Sequence, residues 1–534
     1  MKNRILSLTT GIAALALTGC TNLDVDMDSQ YTEYPNNEIA IEAKMADVYF
    51  HLRGTLGRRY MEAQAMASDE YTCLAFDGGY YDSGTYAHQA LHCSNAEDAS
   101  LDWYSEVTSG ITKANKIIME MGGNEAGAVV APARAIRAYF TWILMDSFGD
   151  TPILDRIPGE DEDIARAPRK EVAAWIESEL KEIIPLLTEE VSARTYGKPT
   201  RWMAEALLAK LYINWPVYTA ASVDQYDAAS ARNEKLADCI AVCDDIINSG
   251  KFNLGSMEYR FKFAPDNGPK VEDFIYAMPY DAITQQGLQY ARPRTFKDMK
   301  NLMPNYYGSS EKFSQSFGGN MVLTPEMASL FSLEGDQRNL CVLGGPVYNY
   351  DAKTLLPTDE PFMYKDAQVV FTKDITLAKQ DNTIDVGNDA TAYQQGYHSI
   401  KFFIVPTDYN QGRNQSNDLP IFRYADILLT KAEALVRGGQ SGAMALFNEV
   451  RSYAKAPVLT AEPSLKDLLD ERGREFLDEN WRRNDMIRFG TYEGEFFPHY
   501  TGFPDANFDK RHRIFPVEKE MLDLHPDWVQ NPGY

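Results

Sequence analysis

Two strings constrain this chain more than any others: AIRAYFTWILMDSFGD at 135–150 and RWMAEALLAKLYINW at 201–215. Each sets small residues among large aromatics at helical spacing, a pattern that lets neighbouring helices approach closely. The same apolar period recurs at 39–56, 103–121, 131–148, 171–187, 201–218 and 234–247, and each run ends in Pro, Gly or a polar break. The expected class is mainly α, built from helix hairpins of the tetratricopeptide kind. Unrelated helices packed in a bundle are the rival reading. From about 250 to 417 the period fails. GSMEYRFKF, DNGPK, MPNYYGSS and FGGN interrupt it, and only brief strands are expected, at 274–278, 368–372 and 399–405. Helices return at 419–436, 443–454, 465–479 and 481–489.

The N-terminus carries its own signal. Lys2 and Arg4 precede an apolar run at 5–17, which is too short to span a bilayer and closes on Leu17-Thr18-Gly19-Cys20. That tetrapeptide looks like a bacterial lipobox, in which the Cys20 thiol is fatty-acylated; an ordinary secretory signal with a chance cysteine is the alternative. The expected organisation is a signal peptide at 1–19, a lipidated tether at 20–35, a helical region at 36–250, a loop-rich insert at 251–417 and a helical C-terminal region at 418–534. The last is expected to pack with the first helical region as one body. The N-terminal segment implies export and tethering by lipid, with a soluble body.

The 534 residues carry 77 acids against 52 bases, a formal charge of −25, which disfavours nucleic acid as a partner. Besides Cys20 there are five cysteines, an odd number that argues against a full disulfide framework. Cys239 and Cys243 share a helical face and read as buried thiols, while a Cys73–Cys93 bridge stays open. His88, His92 and Cys93 have metal-ligand spacing, with Cys73 as the fourth ligand a Zn site would need, but a loop or helix packed on the core is the preferred reading. No zinc-protease, phosphate-loop or dinucleotide motif is present, and nothing marks one glycosidase pair among the acids. No cofactor is indicated, and a structural Ca²⁺ in the loops stays open.

The stronger candidates are aromatic loops. AFDGGYYDSGTY gathers Tyr80, Tyr81 and Tyr86 with Asp77 and Asp82, next to Asp69; QQGLQYARPR carries Tyr290, Arg292 and Arg294; MPNYYGSS carries Tyr306 and Tyr307. A tyrosine ring can lie on the C–H face of a sugar while Asp, Asn, Gln and Arg bond its hydroxyls. The expected ligand contacts are Asp69, Tyr80, Tyr81, Tyr86, Tyr290, Arg292, Tyr306 and Tyr307. Against this, the tyrosines can simply pack the loops down or face a partner protein.

The C-terminal third brings a resemblance. DLPIFRYADILLTKAEALVRGG, ALFNEVRSYA, DERGREFLDENWRRNDMIRFG and the terminal IFPVEKEMLDLHPDWVQNPGY follow, in order, the motifs of the SusD/RagB family of Bacteroidetes outer-membrane nutrient-binding lipoproteins. Upstream, LDWYSEVTSGITKANKII and RAIRAYFTWILMDSFGDTPIL resemble that family's repeat helices. The resemblance implies a SusD-like fold, an outer-membrane location, lipid-anchored and facing the exterior, and a glycan captured for a SusC-like TonB-dependent barrel, by binding and not by turnover. Peptide capture of the RagB kind is the alternative ligand, and a surface glycoside hydrolase the alternative class. The motifs themselves read as structural: Arg423 with Asp426, Glu475 with Glu479, and Arg482 with Asp485 suit ion-pair networks, because paired arginines keep carboxylates ionised.

Overall fold

The computed structural model describes residues 38–79, 85–160, 162–301, 307–379, 384–497, 499, 503 and 506–534. The chain divides into two compact units, Met1–Lys44 and Met45–Tyr534. The second is mainly helical, with short two-stranded sheets scattered between helices.

Successive helices pack on one another. Tyr104–Glu120 lies against Ala131–Phe148, which in turn lies against Arg169–Ile183; Arg201–Ile213 pairs with Leu236–Asn248. The small residues do what their spacing predicts. At Gly110 a Cβ would meet Phe140 at 2.6 Å and His51 at 2.7 Å, so only glycine admits this approach. The Ala131–Phe148 helix is buried on every side and stops at Gly149, whose φ of 79° ends the turn. Asp150 then accepts the Arg169 amide at 2.8 Å, starting the next helix. Arg134 and Arg137, three residues apart, both grip buried Glu179, at 2.8 and 2.5 Å. The expected 201–218 helix breaks at Asn214, because Pro216 has no N–H to continue it and opens a separate turn, Trp215–Thr219.

Four further expectations need correction. The run expected as one helix at 419–436 begins as a strand, Leu419–Arg423, antiparallel to Phe274–Met278. Pro420 disfavours helical backbone at Leu419, and the helix Tyr424–Arg437 starts only where Asp273 accepts the Ala425 amide at 3.1 Å. The strand expected at 368–372 is two fragments, Ala367–Gln368 and Val370–Phe371. That at 399–405 reduces to His398–Ser399; beyond it, the backbone bonds to side chains, as in Arg260 Nη1 to the Ile400 carbonyl (2.8 Å) and Asn417 Nδ2 to that of Phe403 (3.0 Å). The 465–479 helix ends at Glu475, because Asp478 and Asn480 turn left-handed with φ of 64° and 67°. Arg482–Phe489 follows.

That left-handed turn is a junction. Asp478 accepts Arg294 Nε at 2.7 Å, the Tyr71 hydroxyl at 2.9 Å and the Ser399 hydroxyl at 2.5 Å, while its amide donates to Glu70 at 2.9 Å. Around it lies a buried lattice of alternating charge. Arg423 meets Asp273 (2.6 Å), Glu475 (2.8 Å) and Glu479 (2.7 Å). Lys401 reaches Glu479 at 2.6 Å, and Arg338 joins Asp336 to Glu471 at 2.8 and 2.7 Å. Arg472 links Asp426 to Asp485, and Arg488 links Asp485 to Glu433. Burial alone would neutralise these carboxylates, but the cations outweigh it and hold Asp273 and Glu433 down at about 2. The C-terminal motif residues thus join ion-pair networks, but with distant partners: Arg423 is on a strand and does not meet Asp426, which pairs with Lys210 and Arg472, and Arg482 pairs with Asp69 instead of Asp485.

Two stability predictions follow from burial. Arg423→Met strands three carboxylates and should cost about 3–5 kcal/mol in denaturant unfolding, whereas removing the exposed Lys519–Asp523 pair should leave stability unchanged. His398 is buried, and its Nδ1 bonds the Arg294 carbonyl at 2.6 Å; burial lowers its pKa from 6.5 to about 4 against that bond. The unfolded chain therefore binds the extra proton first. Stability should be full above pH 6.5 and fall by about 3 kcal/mol as pH drops to 4, with a shallower slope in His398→Asn, as measured by unfolding at each pH.

Candidate ligand-binding loops

The Tyr71–Cys73 strand pairs antiparallel with Met321–Leu323 and delivers the chain to a tight turn. Phe76 and Gly79 exchange backbone hydrogen bonds at 3.0 and 3.1 Å, with Asp77 and Gly78 at φ of 54° and 76°. A second loop clasps the first. Asp385, fully buried, accepts the amides of Gly387 (2.7 Å), Gly78 (2.9 Å) and Asp77 (3.1 Å). Lys379 bridges Asp77 at 2.7 Å and Asp385 at 3.5 Å. Burial pushes the Asp385 carboxyl up, but these amides and Lys379 more than offset it, so it lies below the usual range.

On this frame sits an aromatic and polar surface. The ring of Tyr393, half-buried, meets Phe76 edge-on at 5.1 Å, and its hydroxyl donates to Asn388 at 2.5 Å. Lys297 lies 4.2 Å from the Phe76 ring centre and 5.2 Å from that of Tyr393, and its partial burial lowers its pKa. Asp298 next to it accepts the Tyr364 hydroxyl at 2.5 Å. Exposed Asn388 and Asp389 border the ring. The arrangement offers one part of a flat apolar face, ringed by acceptors and one cation, as an open sugar site requires.

The residues expected from sequence divide. Tyr80, Tyr81, Tyr306 and Cys20 lie outside the described residues, although Tyr80 follows directly on Gly79. Asp69 pins two distant parts of the chain, its carboxylate receiving Arg482 Nε and Nη2 at 2.6 and 2.8 Å. Tyr86 is fully buried, its hydroxyl donating to Glu62 and accepting from Arg59. Tyr290 is buried against Phe402, where Asn480 Nδ2 donates to its hydroxyl at 3.2 Å. Tyr307 is packed edge-on between Phe403 and Phe313 in the insert's core. These three tyrosines turn their rings inward, so the expected arc does not include them. Arg292 is half-buried, and its carbonyl accepts the Gly318 amide at 2.8 Å. Tyr393 was missed, although GNDATAYQQGY has the same Gly, Asn and Tyr composition that marked the other loops.

The metal spacing does not converge. His88 turns to Asp98 at 2.8 Å, while His92 bonds the Ala67 carbonyl at 3.0 Å and stacks on Tyr492. Among the described residues no group of His, Cys, Asp and Glu is placed to hold a metal, and all five cysteines are thiols.

With the geometry described, the comparisons decide the family. A model described as the SusD family matches residues 273–534, and one described as starch-binding associating with outer membrane matches 22–213. The chain belongs to the SusD family. The starch-binding protein SusD of Bacteroides thetaiotaomicron is 23% identical over 429 residues, 76% of this chain and 72% of that protein. Among solved structures, a laminarin-binding SusD-like protein superposes with a TM-score of 0.67 at 20% identity, covering 93% of this chain and all of the other. Surface glycan-binding protein A from B. thetaiotaomicron, in complex with laminarihexaose, gives 0.67 at 17% identity over 92% and 99% of the two chains. The SusD-like fold, helix hairpins with an irregular loop-rich region, is therefore that of this chain.

Burial separates packing tyrosines from one that keeps part of its ring in solvent. Tyr307→Ala should cost about 3–5 kcal/mol of stability by leaving a cavity. Tyr393→Ala, at a ring that is only partly buried, should cost less than Tyr307→Ala; paired unfolding curves check both.

Proposed function

We propose that this chain is a surface lipoprotein that captures oligo- or polysaccharide and passes it to a SusC-like TonB-dependent transporter. The observation that carries the reading is the half-exposed Tyr393 ring with Lys297, Asp298, Asn388 and Asp389 about it, in a member of a family described as starch-binding and associated with the outer membrane. One ring face rests on the sugar's C–H groups, and the polar rim selects the orientation of its hydroxyls. Each such contact is weak, so repeated engagement along a polymer raises the overall affinity.

The anchor is the acylated Cys20. No helix among the described residues is long and apolar enough to cross a membrane, and several acyl chains suffice to hold a soluble body at the surface. The role is binding, without turnover. A general acid needs a carboxyl held protonated near neutral pH, whereas Asp385 beneath the loops is held below its usual range by amides and a lysine. Transfer follows when the receptor closes over the barrel and the ligand partitions inward.

Affinity electrophoresis in starch and laminarin gels tests this. The chain should be retarded by at least one polysaccharide without producing new reducing ends, and Tyr393→Ala should weaken retention about tenfold, the effect of losing roughly 1.4 kcal/mol. Unchanged retention in that variant would discard the loop site; new reducing ends would replace the receptor with a hydrolase.

A further inference from the structure

A cavity of about 420 Å³ opens between the start of the Arg169–Ile183 helix, the 220–224 turn and the C-terminal segment at Asn531 and Pro532. None of the loop residues around Tyr393 lines it.

Its lining, which carries both acids and bases, includes a buried guanidinium that joins no ion pair among the described residues. Arg169 is only 7% exposed, and its sole side-chain hydrogen bond among the described residues runs from Nη2 to the Val217 carbonyl at 2.5 Å. It joins no ion pair there, unlike the buried arginines at 134, 338, 423, 472 and 488. Burial pulls its pKa down to about 10, with Tyr218, Asp146 and Asp150 offsetting only part of the cost. Arg169 lines the cavity, and its Nε and Nη1 make no hydrogen bond among the described residues. The same corner is the N-terminus of a fifteen-residue helix, where the Arg169 amide is held by Asp150 and the Lys170 amide meets no acceptor among the described residues. A buried cation and an open helix start both favour an anion.

The walls narrow the choice. Pro168, Ala220, Ala221, Val223, Ile514 and Pro532 are aliphatic, and no aromatic ring lines the cavity for a sugar to stack on. A groove of about 810 Å³ shares Asp150, Asn531 and Pro532 with it and leads out past Ile164, Leu524 and Val529. The groove's Trp528 is covered by His525 on a stacked face at 4.3 Å and approached by Arg166 at 5.9 Å, which leaves its ring little free face. We propose that the cavity binds a carboxylate carried on an aliphatic body, as at the C-terminal residue of an extended peptide whose chain leaves along the groove. The carboxylate pairs with Arg169 and the Lys170 amide, and Asp150 and Asp224 accept the ligand's N–H groups. This site is independent of the glycan reading, which the loops carry.

Calorimetric titration of the purified full chain with N-acetyl-Ala-Ala, its C-terminal amide and glucuronate tests the proposal. The acid should bind and raise Tm, with the amide and glucuronate at least tenfold weaker. Arg169→Met should lose the acid; because it also loses the Val217 bond, Ala221→Phe, an exposed position that fills the cavity, provides the second check and should lose at least tenfold. No binding of the acid at millimolar concentration, equal binding of acid and amide, tighter binding of glucuronate, or acid binding retained in Ala221→Phe would each overturn it. Polysaccharide retardation should persist in Ala221→Phe, so loss of one site is readable apart from the other.

Discussion

The buried lattice of arginines, lysines and carboxylates is what the rest of this structure depends on. Arg423 alone ties the strand at Leu419–Arg423 to Asp273 before the opposite strand, to Glu475 at the end of the Leu465–Glu475 helix and to Glu479 just beyond it. Arg338 and Lys401, from the loop-rich insert, enter the same lattice. Burying so many ions is costly, and an apolar replacement of the same shape can be equally stable. What the lattice supplies is register: each carboxylate has few positions at which all its oxygens are met, so the helices and the insert can settle in one arrangement only.

That dependence explains which parts of the fold were legible beforehand. The Ala131–Phe148 helix and its neighbours follow from apolar spacing, which is local. The strand at Leu419–Arg423 was hidden because every one of its residues is buried, so neither a period of two nor one of 3.6 stands out. Its partner lies about 140 residues earlier. The end of the Leu465–Glu475 helix was equally hidden, since the left-handed Asp478 is held by Tyr71, Arg294 and Ser399, none of them near in sequence.

The candidate site shows the same limit. Composition located the loops but could not sort their tyrosines, because a phenol reads alike whether its hydroxyl meets water or a distant side chain. Tyr290 is satisfied by Asn480, 190 residues on, and Tyr86 by Glu62 and Arg59, so both are packing residues. Tyr393, whose hydroxyl finds Asn388 only five residues away, keeps part of its ring in solvent. Acidic clasps such as Asp385 with three amides hold the loop bases firm, which lets short irregular segments present a defined surface.

The junction at Asp478 also bears on how the molecule comes into being. Its bonds to Tyr71 and Glu70, and that of Asp69 to Arg482, span more than 400 residues of chain. Until residues 478–482 have been made, the first strand therefore lacks the group that fixes it. An emerging polypeptide must wait, partly assembled, for its own tail, and such long-range closure is slow and exposes unfinished edges meanwhile. Folding of this protein thus stays incomplete until the final segment arrives.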